Sequence, residues 1–93
     1  MASGFAAKET EPNAISKFVV KYRENHMFSQ VDLGKLMDVS PPYIAQLEAG
    51  KYRMPIAFLR GLSKRLKEDE KEELRQAIAD AVISDIPNLA KTN

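Results

Sequence analysis

Apolar residues recur along this chain three and four positions apart, and no stretch alternates with period two, so the pattern predicts helices throughout. Ile15, Phe18, Val19 and Tyr22 fall at i, i+3, i+4 and i+7. They predict a first helix that starts at Ala14, is capped by Asn13 and ends around Asn25–His26. Ser29 opens a second: its hydroxyl can accept from the amide of Asp32, whose carboxylate can return the bond, a variant of the capping box. Leu33, Leu36 and Met37 form its apolar stripe, and it stops near Asp38. Ser40 opens a third. Pro41 and Pro42 fit its first turn, where amides have no intrahelical acceptor. Tyr43, Ile44 and Leu47 follow, and Gly50 supplies the left-handed residue past the end. Pro55 begins a fourth helix with Ile56, Leu59, Leu62, Ser63 and Leu66 inward, and Gly61 on it permits a close approach. Acids at 68–73 favour the start of a fifth, where the helix dipole attracts anions. Leu74, Ile78, Ala81 and Val82 carry its period to Pro87. The expected fold is all-α, compact, with four to five helices.

This pattern divides the chain. Residues 1–12 are small, polar and without period, and read as a disordered arm. Residues 13–66 hold the packed helices, with Lys51–Met54 as a polar connection. Residues 67–87 form an additional amphipathic helix, and 88–93 read as a frayed tail.

With 93 residues the chain makes one domain. It has no cysteine, which excludes a disulfide framework and a thiolate zinc site, and with a single histidine, His26, neither a histidine metal cluster nor a Ser-His-Asp triad is expected. His26, at a helix end, reads as a local cap or dipole partner. No apolar run approaches the roughly 20 residues of a membrane-spanning helix, and the N-terminus lacks a signal peptide's apolar core, so a soluble, cytoplasmic protein is expected. There is no phosphate-cradling glycine loop, no metal-ligand cluster and no nucleophile–base pair; neither enzymatic activity nor a cofactor or metal is expected.

The net charge of +1 hides an asymmetry. Residues 13–66 carry nine Lys and Arg against four Asp and Glu, whereas residues 67–93 carry four against seven. A basic body with an acidic tail segment points to an anionic partner for the body.

The informative stretch is Gln30–Ala49, QVDLGKLMDVSPPYIAQLEA. Two short helices are joined by a tight turn, with Leu33, Met37, Val39, Ile44 and Leu47 as core. Gly34 lets the two axes cross closely, and Val39 plugs the corner. This is helix-turn-helix geometry, in which the second helix can enter a major groove. Together with Arg23 at the end of the first helix, the Ser29–Ser40 segment, the Ile44–Lys51 segment (IAQLEAGK) and Pro55 before a leucine-rich helix, the chain resembles the XRE-type domains of lambda-repressor-like CI and Cro proteins over residues 14–66.

The resemblance implies roles. Ser40, Pro42, Tyr43 and Gln46 correspond to base-reading positions. Gln30 corresponds to a residue that contacts phosphate and braces the reading helix. Lys51, Tyr52 and Arg53 lie in the loop the family uses against phosphates; Lys35 is a further candidate, as are Lys17 and Lys21. Arg23 and Glu48 correspond to an internal ion pair between the first and third helices. Two departures stand out. Asp38 occupies a turn position usually held by glycine, which aspartate tolerates. Pro41 and Pro42 replace polar base readers, shifting direct readout onto Ser40, Tyr43 and Gln46, with Pro42 or Tyr43 against a thymine methyl.

The expected function is a DNA-binding regulator, a repressor on a palindromic operator, acting as a homodimer through its fourth and fifth helices. The alternative is an antitoxin or interaction module whose helical domain binds a protein partner such as a toxin or another regulator.

Overall fold

The computed structural model describes residues 12–85. Within them the chain forms five helices and no strand: α1 (Ala14–Asn25), α2 (Gln30–Met37), α3 (Pro41–Glu48), α4 (Ile56–Ser63) and α5 (Glu68–Asp85). The arm, apart from Pro12, and the tail with the stop at Pro87 lie outside the described residues.

Side chains start the first three helices. Asn13 accepts from the Ser16 amide, and the Ser16 hydroxyl receives the Asn13 amide at 2.7 Å, a reciprocal box that buries Ser16. Ser29 and Asp32 exchange the same pair of bonds. Ser40 caps α3, with Pro41 and Pro42 in its first turn.

The first three helices also stop alike. Each ends in a left-handed residue: Met27 (φ 59°), Asp38 (φ 59°) and Gly50 (φ 76°). In each case the next amide reaches back across the last turn: Phe28 to the Arg23 carbonyl, Val39 to Gly34 and Lys51 to Gln46, all within 3.0 Å. These are Schellman ends, which satisfy carbonyls the helix leaves open and fix where the chain goes next.

Phe18, Val19, Tyr22, Leu33, Ile44, Leu47, Phe58, Leu62 and Leu66 build one core, and α2 packs across α3 at the tight corner. Several positions differ from the pattern. Leu36 is exposed, because Leu33 and Met37 already define the inward face of so short a helix. Met37 and Val39 are only half-buried, at the rim of the core. Ile56 is 70% exposed, since it lies two residues from buried Phe58 and so on the opposite side of α4. Helix α4 ends at Ser63, yet Leu66 still reaches the core. Met54, in a connection read as polar, is buried; a loop residue has no period to announce this.

Helix α5 packs along α1. Leu74 and Ala77 join the chain's own core, so this part of its apolar face is closed to a second copy, while Val82 and Ile83 remain exposed. Two side-chain contacts fasten α5 to α1 and its cap: Lys21 pairs with Glu73 at 3.3 Å, and His26 Nε2 and Glu70 Oε2 share a hydrogen bond at 2.7 Å. His26 is therefore both the cap of α1 and a tie to a helix 44 residues on.

Glu70 also receives the Lys67 amide at 2.8 Å. Burial pushes its carboxyl pKa up, but the Lys67 amide and His26 outweigh this and hold it below the ordinary 4.5. A lowered carboxyl stabilises the fold fully above that ordinary value, and the contribution is lost as pH falls through the folded-state value. Acid titration of thermal stability should thus fall off below pH 4.5, and Glu70→Gln should flatten that limb. An unchanged limb in the variant would remove Glu70 from the account.

Candidate nucleic-acid interface

Ile44 and Leu47 are fully buried and fix the inward face of α3. By helical spacing, Pro42, Gln46 and Ala49 lie on the other side. Pro42 and Ala49 are exposed and Gln46 is half-exposed; Ser40, before the helix, is exposed. Tyr43, placed by the resemblance among the base readers, is not wholly exposed. It is half-buried against the core, and its ring stacks on Tyr52, with centroids 6.5 Å apart and planes at 29°. Tyr43 thus leans on two supports.

The exit from α3 sets the flank. The left-handed Gly50 is buried and redirects the chain, so Lys51, Tyr52 and Arg53 emerge exposed beside the end of the helix. Lys35 is exposed on α2. Lys21 is turned toward α5 by its pair with Glu73.

A three-way contact holds α3 in place. Arg23 Nε donates to Glu48 Oε2 at 2.7 Å and Nη2 donates to Oε1 at 3.2 Å, a two-point pairing. Arg23 Nη1 reaches the Phe28 carbonyl at 3.0 Å. Gln30 Nε2 donates to Glu48 Oε1 at 3.0 Å. One carboxylate near the end of α3 therefore binds α1 and the first residue of α2. Its hydrogen bond to Arg23, set against burial, holds the guanidinium pKa above its already high ordinary value. Gln30 thus spends side-chain amide capacity on the brace, a contact that the sequence carried only through the resemblance.

The corner between α2 and α3 explains Gly34. A Cβ there would stand 2.7 Å from the Val39 carbonyl oxygen. A Cβ on Gly61 would meet only the mobile tip of Met37, at 3.3 Å. Gly34 is thus required by backbone, whereas Gly61 faces a side chain able to move.

The family model for helix-turn-helix domains matches residues 19–72, more than half of the chain. The chain belongs to the XRE-type helix-turn-helix family. This family binds DNA and is not enzymatic, so the helix-turn-helix here is a DNA-binding domain of regulator type. The match begins inside α1 and runs into the first turns of α5. No curated protein and no solved structure matches the chain significantly. Among the described residues, no helix is long and apolar enough to cross a membrane.

Proposed function

We propose that this helix-turn-helix protein is an intracellular transcriptional repressor that binds a palindromic operator as a homodimer, with α3 in the major groove. The observation that carries this reading is the arrangement of α3. Its outer face is open over Ser40, Pro42 and Gln46, its inner face is locked by the Glu48 contacts, and Lys51 and Arg53 flank its exit. In this reading Ser40, Pro42, Tyr43 and Gln46 meet base edges. The Gln46 amide is suited to two bonds with an adenine edge, a contact that discriminates by about 1–3 kcal/mol. Gln30, Lys35, Lys51, Tyr52 and Arg53 hold the phosphates, and exposed Val82 and Ile83 contribute to the contact between copies.

The test is a titration of the protein against DNA from its own upstream region, beside scrambled DNA, at two salt concentrations. Native DNA should be preferred, and Tyr43→Ala and Gln46→Ala should lose the preference. Lys51→Ala should weaken binding to all DNA alike and lower the salt slope by about one. Equal binding to both DNAs would sink the sequence-specific reading.

A further inference from the structure

Helix N-termini ordinarily present free amides to an acceptor. The N-terminus of α3 does not. Pro41 and Pro42 have no N–H, and the Tyr43 amide is turned onto the Ser40 hydroxyl at 3.3 Å. The first turn of the reading helix thus presents pyrrolidine carbon beside the half-buried Tyr43. That ring is held in place, because Tyr43 leans on the core from one side and on Tyr52 from another. Tyr52 comes from the connection that left-handed Gly50 aims, and it is 48% exposed.

Two adjacent prolines, with neither an amide N–H nor a polar side chain, discriminate among base edges. Pressed against the N7 and O6 acceptors of guanine they would strip water and return no hydrogen bond. The major groove offers one apolar group, the methyl on C5 of thymine. 5-Methylcytosine carries the same carbon at the same place.

Building on the DNA-reading function above, we propose that the tip of α3 is a reader of C5-methyl pyrimidines. Pro42 and Tyr43 take the methyl group, and Tyr52 is a positioning residue that holds the Tyr43 ring against it. Gln46, one turn further, supplies the polar contact that sets the neighbouring base. This gives Tyr52 a task in addition to the phosphate contact proposed above.

The probe is a random-sequence duplex pool, enriched on the full chain. The winning duplex is remade with deoxyuridine for thymidine, one position at a time, and with cytosine or 5-methylcytosine opposite guanine at the sensitive position. Uridine should weaken binding about fourfold at one position per half-site, the effect of one buried methyl group. 5-Methylcytosine should bind better than cytosine there by a similar factor; a uridine loss without this gain supports the proposal in its thymine form. Tyr52→Phe should keep the thymine-to-uridine ratio. Tyr52→Ala should bring it toward one, with an unchanged melt.

A flat uridine scan on a duplex still preferred over scrambled DNA would overturn the methyl reading and leave sequence-specific binding standing. Failure of any duplex to enrich over scrambled DNA would overturn both. Equal weakening of all DNA by Tyr52→Phe and Tyr52→Ala would overturn the positioning role.

Discussion

Glu48→Ala should cost about 3–5 kcal/mol of folding stability, the range for removing one partner of a buried ion pair. The Glu48 and Arg23 side chains are only 8% and 16% exposed. Removing the carboxylate leaves the guanidinium charged and still drawn to the Phe28 carbonyl, with two of its former bonds gone. It cannot escape by losing its proton, because arginine stays protonated. The Gln30 amide loses its acceptor at the same time. For a fold that holds roughly 5–10 kcal/mol in all, such a loss brings global unfolding within reach at physiological temperature. Urea melts give the number. A loss under about 1 kcal/mol would mean that the pair behaves as an exposed surface bridge. Replacing both partners together, Arg23→Met with Glu48→Leu, should recover much of the stability, since no unpaired charge then remains. DNA affinity should not recover with it, because the two-point bonds and the Gln30 brace that orient α3 would still be missing.

Gly34→Ala should also destabilise the domain, by about 1–3 kcal/mol before a partial offset. Alanine is the better helix former by about 1 kcal/mol. Here that gain loses, because the added methyl carbon would sit 2.7 Å from the Val39 carbonyl oxygen, and the backbone at Val39 has little freedom to retreat. Its amide is bonded to the Gly34 carbonyl at 2.9 Å, and Asp38 before it holds a left-handed conformation. The crossing of α2 and α3 must therefore open. DNA binding should fall further than the melting temperature, since a changed crossing re-aims the reading face while the rest of the core survives. A variant as stable as the parent, with undiminished affinity, would show that the corner yields without moving α3. Gly61→Ala is the matched control: its neighbour is the flexible end of Met37, so a near-neutral effect is expected.

Both predictions concern residues legible in the sequence. Gly34 stands out as a small residue within a helical run, and Glu48 and Arg23 stand out through the family resemblance. Other elements were hidden. Met27 is 90% exposed and adopts φ 59°, which costs a non-glycine residue roughly 1–2 kcal/mol. Nothing in methionine announces a left-handed turn, so the equivalence of the three helix ends appears only in the backbone. Burial of Met54 and the tie between His26 and Glu70 were likewise without signal, since neither a connection nor a pair 44 residues apart has a period.

The sequence by itself determined the helices, their caps, the turn residues Asp38 and Gly50, and the family, because each depends on residues within a few positions of one another. Hydrogen bonds from a cap and the spacing of an apolar face are local quantities. Tertiary structure alone decided how those helices spend their surfaces. It turned Tyr43 onto Tyr52 and the core, put Ile56 and Leu36 outside, and gave the Leu74 and Ala77 face of α5 to α1. An apolar stripe specifies that a face will be covered; what covers it depends on the relative placement of whole helices, fixed by the competition of all faces for one small core.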